Sequence, residues 1–179
     1  MELLAAFVGG FLGMVGAFAG VWLANRYQSR AQKRQTLRDT TVALYTELTS
    51  VEMLTSRMKA SKILDPIISS HKPLSITELG LNVDSDFEDW FHVARVLAFF
   101  QKLGLYLRAG YLDEELAREL MGDAAMLWCD HYLSYLVQDV DVSWGGNNAI
   151  LARDCINAWL KPYRAQLAAV KKQAGGDAT

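Results

Sequence analysis

The residue types best suited to chemistry in this chain are three histidines (His71, His92, His131), two cysteines (Cys129, Cys155) and the pair Arg153 and Asn157. Glu88 and His92 stand four apart, a helical spacing that can present a carboxylate and an imidazole to one metal ion or to each other. The sequence offers no second pair of that kind, no His-Glu-x-x-His run, and none of the Glu-x-x-His pairs of a di-iron bundle. Glu88 and His92 therefore read as an ordinary pair on a helix surface. Asp130 and His131 are neighbours, so a helix would point them ~100° apart rather than build a dyad. Cys129 and Cys155 fall on apolar helical faces and read as reduced thiols acting as small hydrophobes. Gly145-Gly146 follows Trp144 with no strand before it and no lysine behind it, which makes it a turn and cap rather than a phosphate loop. No catalytic residue, metal or cofactor is expected from these patterns, and the chain reads as a non-enzyme.

The elements that must position these residues are helical throughout. HEPN ribonucleases, themselves helical bundles, pair an arginine with a histidine four to six residues downstream, and no histidine here has one; Arg153 and Asn157 give only a degenerate partial pattern. From Arg26 to about Leu64 the chain has neither proline nor glycine, and Leu37, Leu44, Val51 and Met58 recur at sevens beside Leu48 and Leu54, interrupted by Thr41 and Thr55. The pattern predicts one long helix over 26–64, ended by Asp65-Pro66 and packed on later helices of the same chain. A connecting loop is expected over 65–83. Ser85-x-x-Glu88 is a capping box, and Val93 to Phe100, polar only at Arg95, should lie at the centre of its bundle. Ala109-Gly110 is a stop signal and Asp113-Glu114-Glu115 a start, for a helix running to about Val137 with Gly122 as a weak point. Asn147 or Asn148 is expected to cap a last helix kinked at Pro162, with a disordered tail over 173–179. No segment alternates with a period of two, so the fold class is all-α, with the bundle core at 84–172 and about four bundle helices.

Leu3 to Ala24 contains 22 residues without charge, a helix of ~33 Å against a bilayer core of ~30 Å. Residues 1–25 are accordingly expected to form a transmembrane helix. Arg26, Arg30, Lys33, Arg34 and Arg38 follow with no acid before Asp39, which places them at the cytoplasmic headgroups and the N-terminus outside a bacterial inner membrane. Met1-Glu2 lacks the basic start of a cleaved signal peptide, although Ala17-Phe18-Ala19 resembles a cleavage site. Within the run, Gly9, Gly13, Gly16 and Gly20, flanked by Ala5 and Ala24, share one face within ~100° of arc, while Phe7, Phe11, Phe18 and Trp22 share the other. A face without side chains favours close helix contact, so these four glycines are the candidate association residues.

The 179 residues carry a net charge of -2 with 51% hydrophobic and 21% charged side chains, which excludes disordered and disulfide-stapled classes and any whole-molecule electrostatic grip on nucleic acid. The charge is nevertheless segregated. Residues 26–62 hold eight bases and three acids, 63–144 five bases and fourteen acids, and 145–179 five bases and two acids.

The stretch Phe99-Phe100-Gln101-Lys102-Leu103-Gly104-Leu105-Tyr106-Leu107-Arg108-Ala109-Gly110-Tyr111-Leu112-Asp113-Glu114-Glu115-Leu116, with Trp128 beyond it, resembles a bacterial and phage family of unknown function. That resemblance implies a glycine-rich N-terminal membrane helix, a basic juxtamembrane helix and a helical core, and brings no catalytic residues. In size and layout the chain is also similar to membrane-anchored accessory proteins of RNA-targeting CRISPR systems, which implies a degenerate HEPN-like bundle and assembly into a pore or membrane-perturbing defence effector. The leading expectation is a single-pass membrane protein that forms homo-oligomers through its glycine face, contacts lipid through its basic stretch, and offers its bundle to a cytoplasmic protein partner. The pore-forming effector is the alternative.

Overall fold

The computed structural model describes the backbone of residues 2–70, 74–75, 87–137 and 146–176, and side chains within 21–70, 88, 90–135, 150–170 and 172. Among the described residues five helices carry the fold: α1 (Glu2–Thr49), α2 (Val51–Ser69), α3 (Phe87–Ala109), α4 (Glu114–His131) and α5 (Gly146–Gly176). A 3-10 turn (Leu133–Tyr135) follows α4, and two-residue strands β1 (Leu74–Ser75) and β2 (Leu136–Val137) pair in parallel, Leu74 opposite Leu136. The all-α class expected from periodicity holds. The chain divides into two compact units, Met1–Asp39 and Thr40–Thr179. Among the residues whose side chains are described, no helix is long and apolar enough to cross a membrane. The Leu3–Ala24 run lies outside them as far as Gly20, as do His71, the Ser85 capping hydroxyl and Gly145.

The long helix expected over 26–64 is in fact two helices. Ser50, with φ -61° and ψ 150°, leaves helical geometry, and its hydroxyl accepts the Met53 amide at 3.2 Å to cap α2. Just before the break the Thr46 and Thr49 hydroxyls donate to the Val42 and Tyr45 carbonyls, a back-bonding that loosens the final turns of α1. The break resets the buried register. Leu44 and Leu48 are buried on α1, but Val51 and Met58 stay 76% and 67% exposed, while Met53, Ser56, Ala60, Leu64 and Ile68 turn inward. The seven-residue seam therefore ends at Ser50. Pro66 does not end α2 as expected. The helix runs on to Ser69 because Leu64 and Ile68 are core residues on either side of it, and their burial outweighs one missing amide donor.

In the Thr40–Thr179 unit, α3 is the helix against which both α2 and α5 pack. Its buried residues Val93, Val96, Phe99, Phe100 and Leu103 meet Trp128 and Met121 of α4 and Ile156 and Leu160 of α5 in one core. Phe100 stacks on Trp128 with centroids 5.6 Å apart, and Trp128 lies 4.3 Å from the Tyr132 ring. The α3/α5 crossing is close enough that a Cβ on Gly104 would stand 2.5 Å from the Ala152 Cα.

The stop after α3 is built as its residues imply. Gly110 takes φ +66°, its amide donates to the Leu107 carbonyl at 3.2 Å and the Tyr111 amide to Tyr106 at 3.0 Å, and the Tyr106 and Tyr111 rings close over the turn with centroids 6.0 Å apart. Asp113 caps α4 through the Leu116 amide at 3.2 Å. α4 ends at His131 rather than near Val137, where Tyr132 and Leu133 turn into the core and end the helix. α5 begins at Gly146, so Asn147 and Asn148 belong to its first turn instead of capping it, and its backbone stays helical through Pro162 to Gly176, beyond the start expected for a disordered tail.

Candidate functional site

The residues assigned to lipid contact lie on α1, a single helix from Glu2 to Thr49 that carries both the uncharged run and the basic stretch without a break. Arg26, Arg30, Lys33, Arg34 and Arg38 are all exposed, as are Trp22 and Tyr27. The Arg26 guanidinium folds back toward the helix N-terminus and lies over the Trp22 ring, 5.2 Å from its centroid. Tyr27, Arg30, Ala31, Lys33, Arg34 and Leu37 line one shallow groove along the helix. On another side lie Asn25, Gln28, Gln32, Gln35 and Asp39, where the Gln35 amide donates to Asp39 Oδ1 at 2.9 Å. The helix thus separates most of its cationic side chains from a side of amides and one acid. Gly9, Gly13, Gly16 and Gly20 belong to the helical backbone of α1 and precede the residues whose side chains are described.

The chemically capable residues of the bundle are dispersed. His92 turns toward α2, where its Nδ1 lies 3.0 Å from the hydroxyl of Ser56, a fully buried residue, while Glu88 is exposed. The i, i+4 pair expected from spacing thus has its imidazole engaged with another helix. His131 Nε2 is 3.9 Å from Asp65 Oδ1, and the same oxygen accepts the Tyr132 hydroxyl at 2.9 Å. Burial, together with the Asp65 carboxylate, pushes the Tyr132 phenol up from its ordinary value, and the Ser61 hydroxyl partly opposes that shift. This grouping ties α2 to the end of α4. Ser61 donates its own proton to the Arg57 carbonyl at 2.8 Å, so it is not a nucleophile aligned on His131.

Cys129 is buried, and burial pushes its thiol up to about 12, the opposite of what a nucleophile needs. Cys155 is partly exposed, beside Arg108, Glu114 and Trp159 in a shallow groove between α3, α4 and α5. Arg153 pairs with its neighbour Asp154 at 3.0 Å, and Asn157 accepts from Arg164, which also bonds Asp130 and so ties α5 to α4; Arg153 and Asn157 are engaged with different partners on α5 rather than paired as in a nuclease. Among the described residues no three His, Cys, Asp or Glu side chains gather closely enough to hold a metal ion.

Three interior polar residues were not legible as tethers from sequence. Thr41, fully buried, accepts the Asp113 amide at 3.0 Å and so fixes the start of α4 against α1. Ser56 holds His92, and Tyr132 holds Asp65. Only Thr41 left a trace, as a polar interruption of an apolar seam. Comparison with known proteins adds no relative: no family model, no curated protein and no solved structure matches this chain.

Proposed function

We propose that this chain is a non-enzymatic, single-pass protein of the bacterial inner membrane that self-associates through Gly9, Gly13, Gly16 and Gly20 and presents its Thr40–Thr179 bundle to a cytoplasmic protein partner. The observation that carries the reading is the continuity of α1, which joins a 22-residue uncharged run to five exposed bases within one helix. Apolar length suits the run to a bilayer, and the bases that follow suit its cytoplasmic end. Exposed Val51, Leu54 and Met58, at helical spacings of three and four along α2, give the bundle an apolar strip that the core does not use.

The test is the mass of the full-length protein in nanodiscs, wild type against the Gly13→Leu, Gly16→Leu double variant. Bulky side chains on the glycine face should convert a defined oligomer to monomer. A wild-type protein that is monomeric at every protein-to-disc ratio would overturn self-association, and a protein that stays in the aqueous phase without detergent would overturn membrane insertion.

A further inference from the structure

We propose that the exposed strip on α2 is a self-docking face, on which a second copy of this chain lays the same strip antiparallel to the first. The inference goes beyond the reading above and does not depend on the membrane helix. Val51, Leu54 and Met58 are exposed on α2, whereas Met53, Ser56, Ala60 and Leu64 on its other side are buried in the core. At about 100° per residue, Val51, Thr55, Met58 and Lys62 form the crest of the outer face. Glu52 and Lys59 run along one edge of that crest, and Leu54 and Ser61 along the other.

Charge decides both the occupant and its direction. Glu52 and Lys59 are exposed, and neither pairs with another described residue. Seven residues put them roughly 10 Å apart along the helix, too far to pair with each other. Two helices packed antiparallel bring like edges together, and two packed parallel bring opposite edges together. Antiparallel, Glu52 of each copy meets Lys59 of the other, twice about one two-fold axis, and Leu54 meets its own copy close to that axis. Parallel, the same charges face Leu54 and Ser61 and find no counter-charge. Thr55 stands next to the axis, and its hydroxyl already donates to the Val51 carbonyl at 2.8 Å, so covering it orphans no donor. Lys62, at the end of the crest, keeps its ammonium in water while its stem covers Val51 of the second copy. Two helical turns per copy bury less than the ~1,000 Å² of a stable interface, so this is a weak contact that forms where copies are concentrated.

Covalent trapping reads so weak a contact. Full-length protein carrying Gly13→Leu, Gly16→Leu and Cys155→Ala, which disable the glycine face and remove the partly exposed thiol, is given Thr55→Cys and oxidised mildly in detergent solution. It should form a disulfide-linked dimer whose yield rises with protein concentration. Glu52→Lys or Lys59→Glu, each added alone, sets like charges at both edge contacts and should lower that yield on the order of tenfold. Mixing the two variants restores opposite charges at both contacts, so the mixed dimer should form at the level of the parent while each variant still fails with itself. Recovery in the mixture also shows that both variants are folded. Absence of a Thr55→Cys dimer at every concentration overturns the proposal and leaves glycine-driven association standing, since that is read on protein with its glycines intact. A yield that ignores both charge changes, or a mixture that does not recover, overturns the antiparallel pairing. A Thr55→Cys thiol that neither dimerises nor reacts with a water-soluble maleimide assigns the strip to detergent or lipid and overturns it as well.

Discussion

Thr41 shows how much one interior hydroxyl can carry. Its oxygen is the acceptor for the Asp113 amide, and Asp113 in turn caps α4, so the contact holds α1 and the start of α4 together. Thr41→Val keeps the shape and removes the acceptor of a partly buried amide, which should cost about 1–3 kcal/mol in denaturant unfolding followed by helical circular dichroism. Cys129 gives a second prediction. With its thiol pushed to about 12 from an ordinary value of 9.0, the folded protein at pH 8 should react with iodoacetamide at Cys129 about a thousandfold more slowly than the unfolded chain does, read by intact mass. The raised value also sets a sign. Below pH 9 the buried thiol's contribution to stability is fully present, and it is lost as pH rises toward 12, because the unfolded chain ionises first. Wild-type stability should fall more steeply than that of Cys129→Ala across this window, by up to about 1.4 kcal/mol per pH unit. Residues that act on their own neighbourhood were legible: Asp113 as a cap and Gly110 as a stop depend on contacts within a few positions. Thr41 and Ser56 were not, because their partners lie 72 and 36 residues away, and no local pattern encodes a bond of that reach.

Two helical glycines make opposite demands on the elements around them. At Gly104 an added Cβ would meet the Ala152 Cα at 2.5 Å and its carbonyl oxygen at 2.8 Å, so α3 and α5 would have to part. At Gly122 the nearest atoms belong to the edge of the Tyr163 ring, 3.2 Å away, and a half-buried ring can shift by tenths of an ångström. Gly104→Ala should therefore lose about 1–3 kcal/mol, while Gly122→Ala, which gains helix propensity, should fall within about 1 kcal/mol of wild type, both read from thermal or denaturant unfolding. The sequence marked Gly122 as a weak point in its helix; its small size instead makes room for Tyr163, whose hydroxyl donates to Asp123 Oδ1 at 2.7 Å. Helix boundaries were legible where a signal acts alone, as at Gly110 and Asp113. Ser50 was hidden because serine within an apolar period reads as a solvent-facing helical residue, and its capping role depends on where the core lies. Pro66 misled for the complementary reason, since a local breaker was overruled by core residues on both sides.

At the scale of the molecule, Thr40–Thr179 is a compact unit with its own core, from Leu44 of α1 to Leu160 of α5. A fragment of those residues should be helical and unfold cooperatively, with a midpoint within a few degrees of the full chain; a fragment without a cooperative transition would make residues 1–39 part of the folding unit. The class and the central place of α3 were legible, the first from the absence of two-residue alternation and the second from a helix apolar almost all round. Which helices lie against it was not, because burial patterns name a face and leave the neighbour open. The place of α5 also sets a timetable. It supplies Ile156, Trp159 and Leu160 and crosses α3 at Gly104, yet it is synthesised after α1 to α4. While the ribosome still holds α5, Phe99, Phe100 and Leu103 lack their final wall and stay open to unwanted contacts.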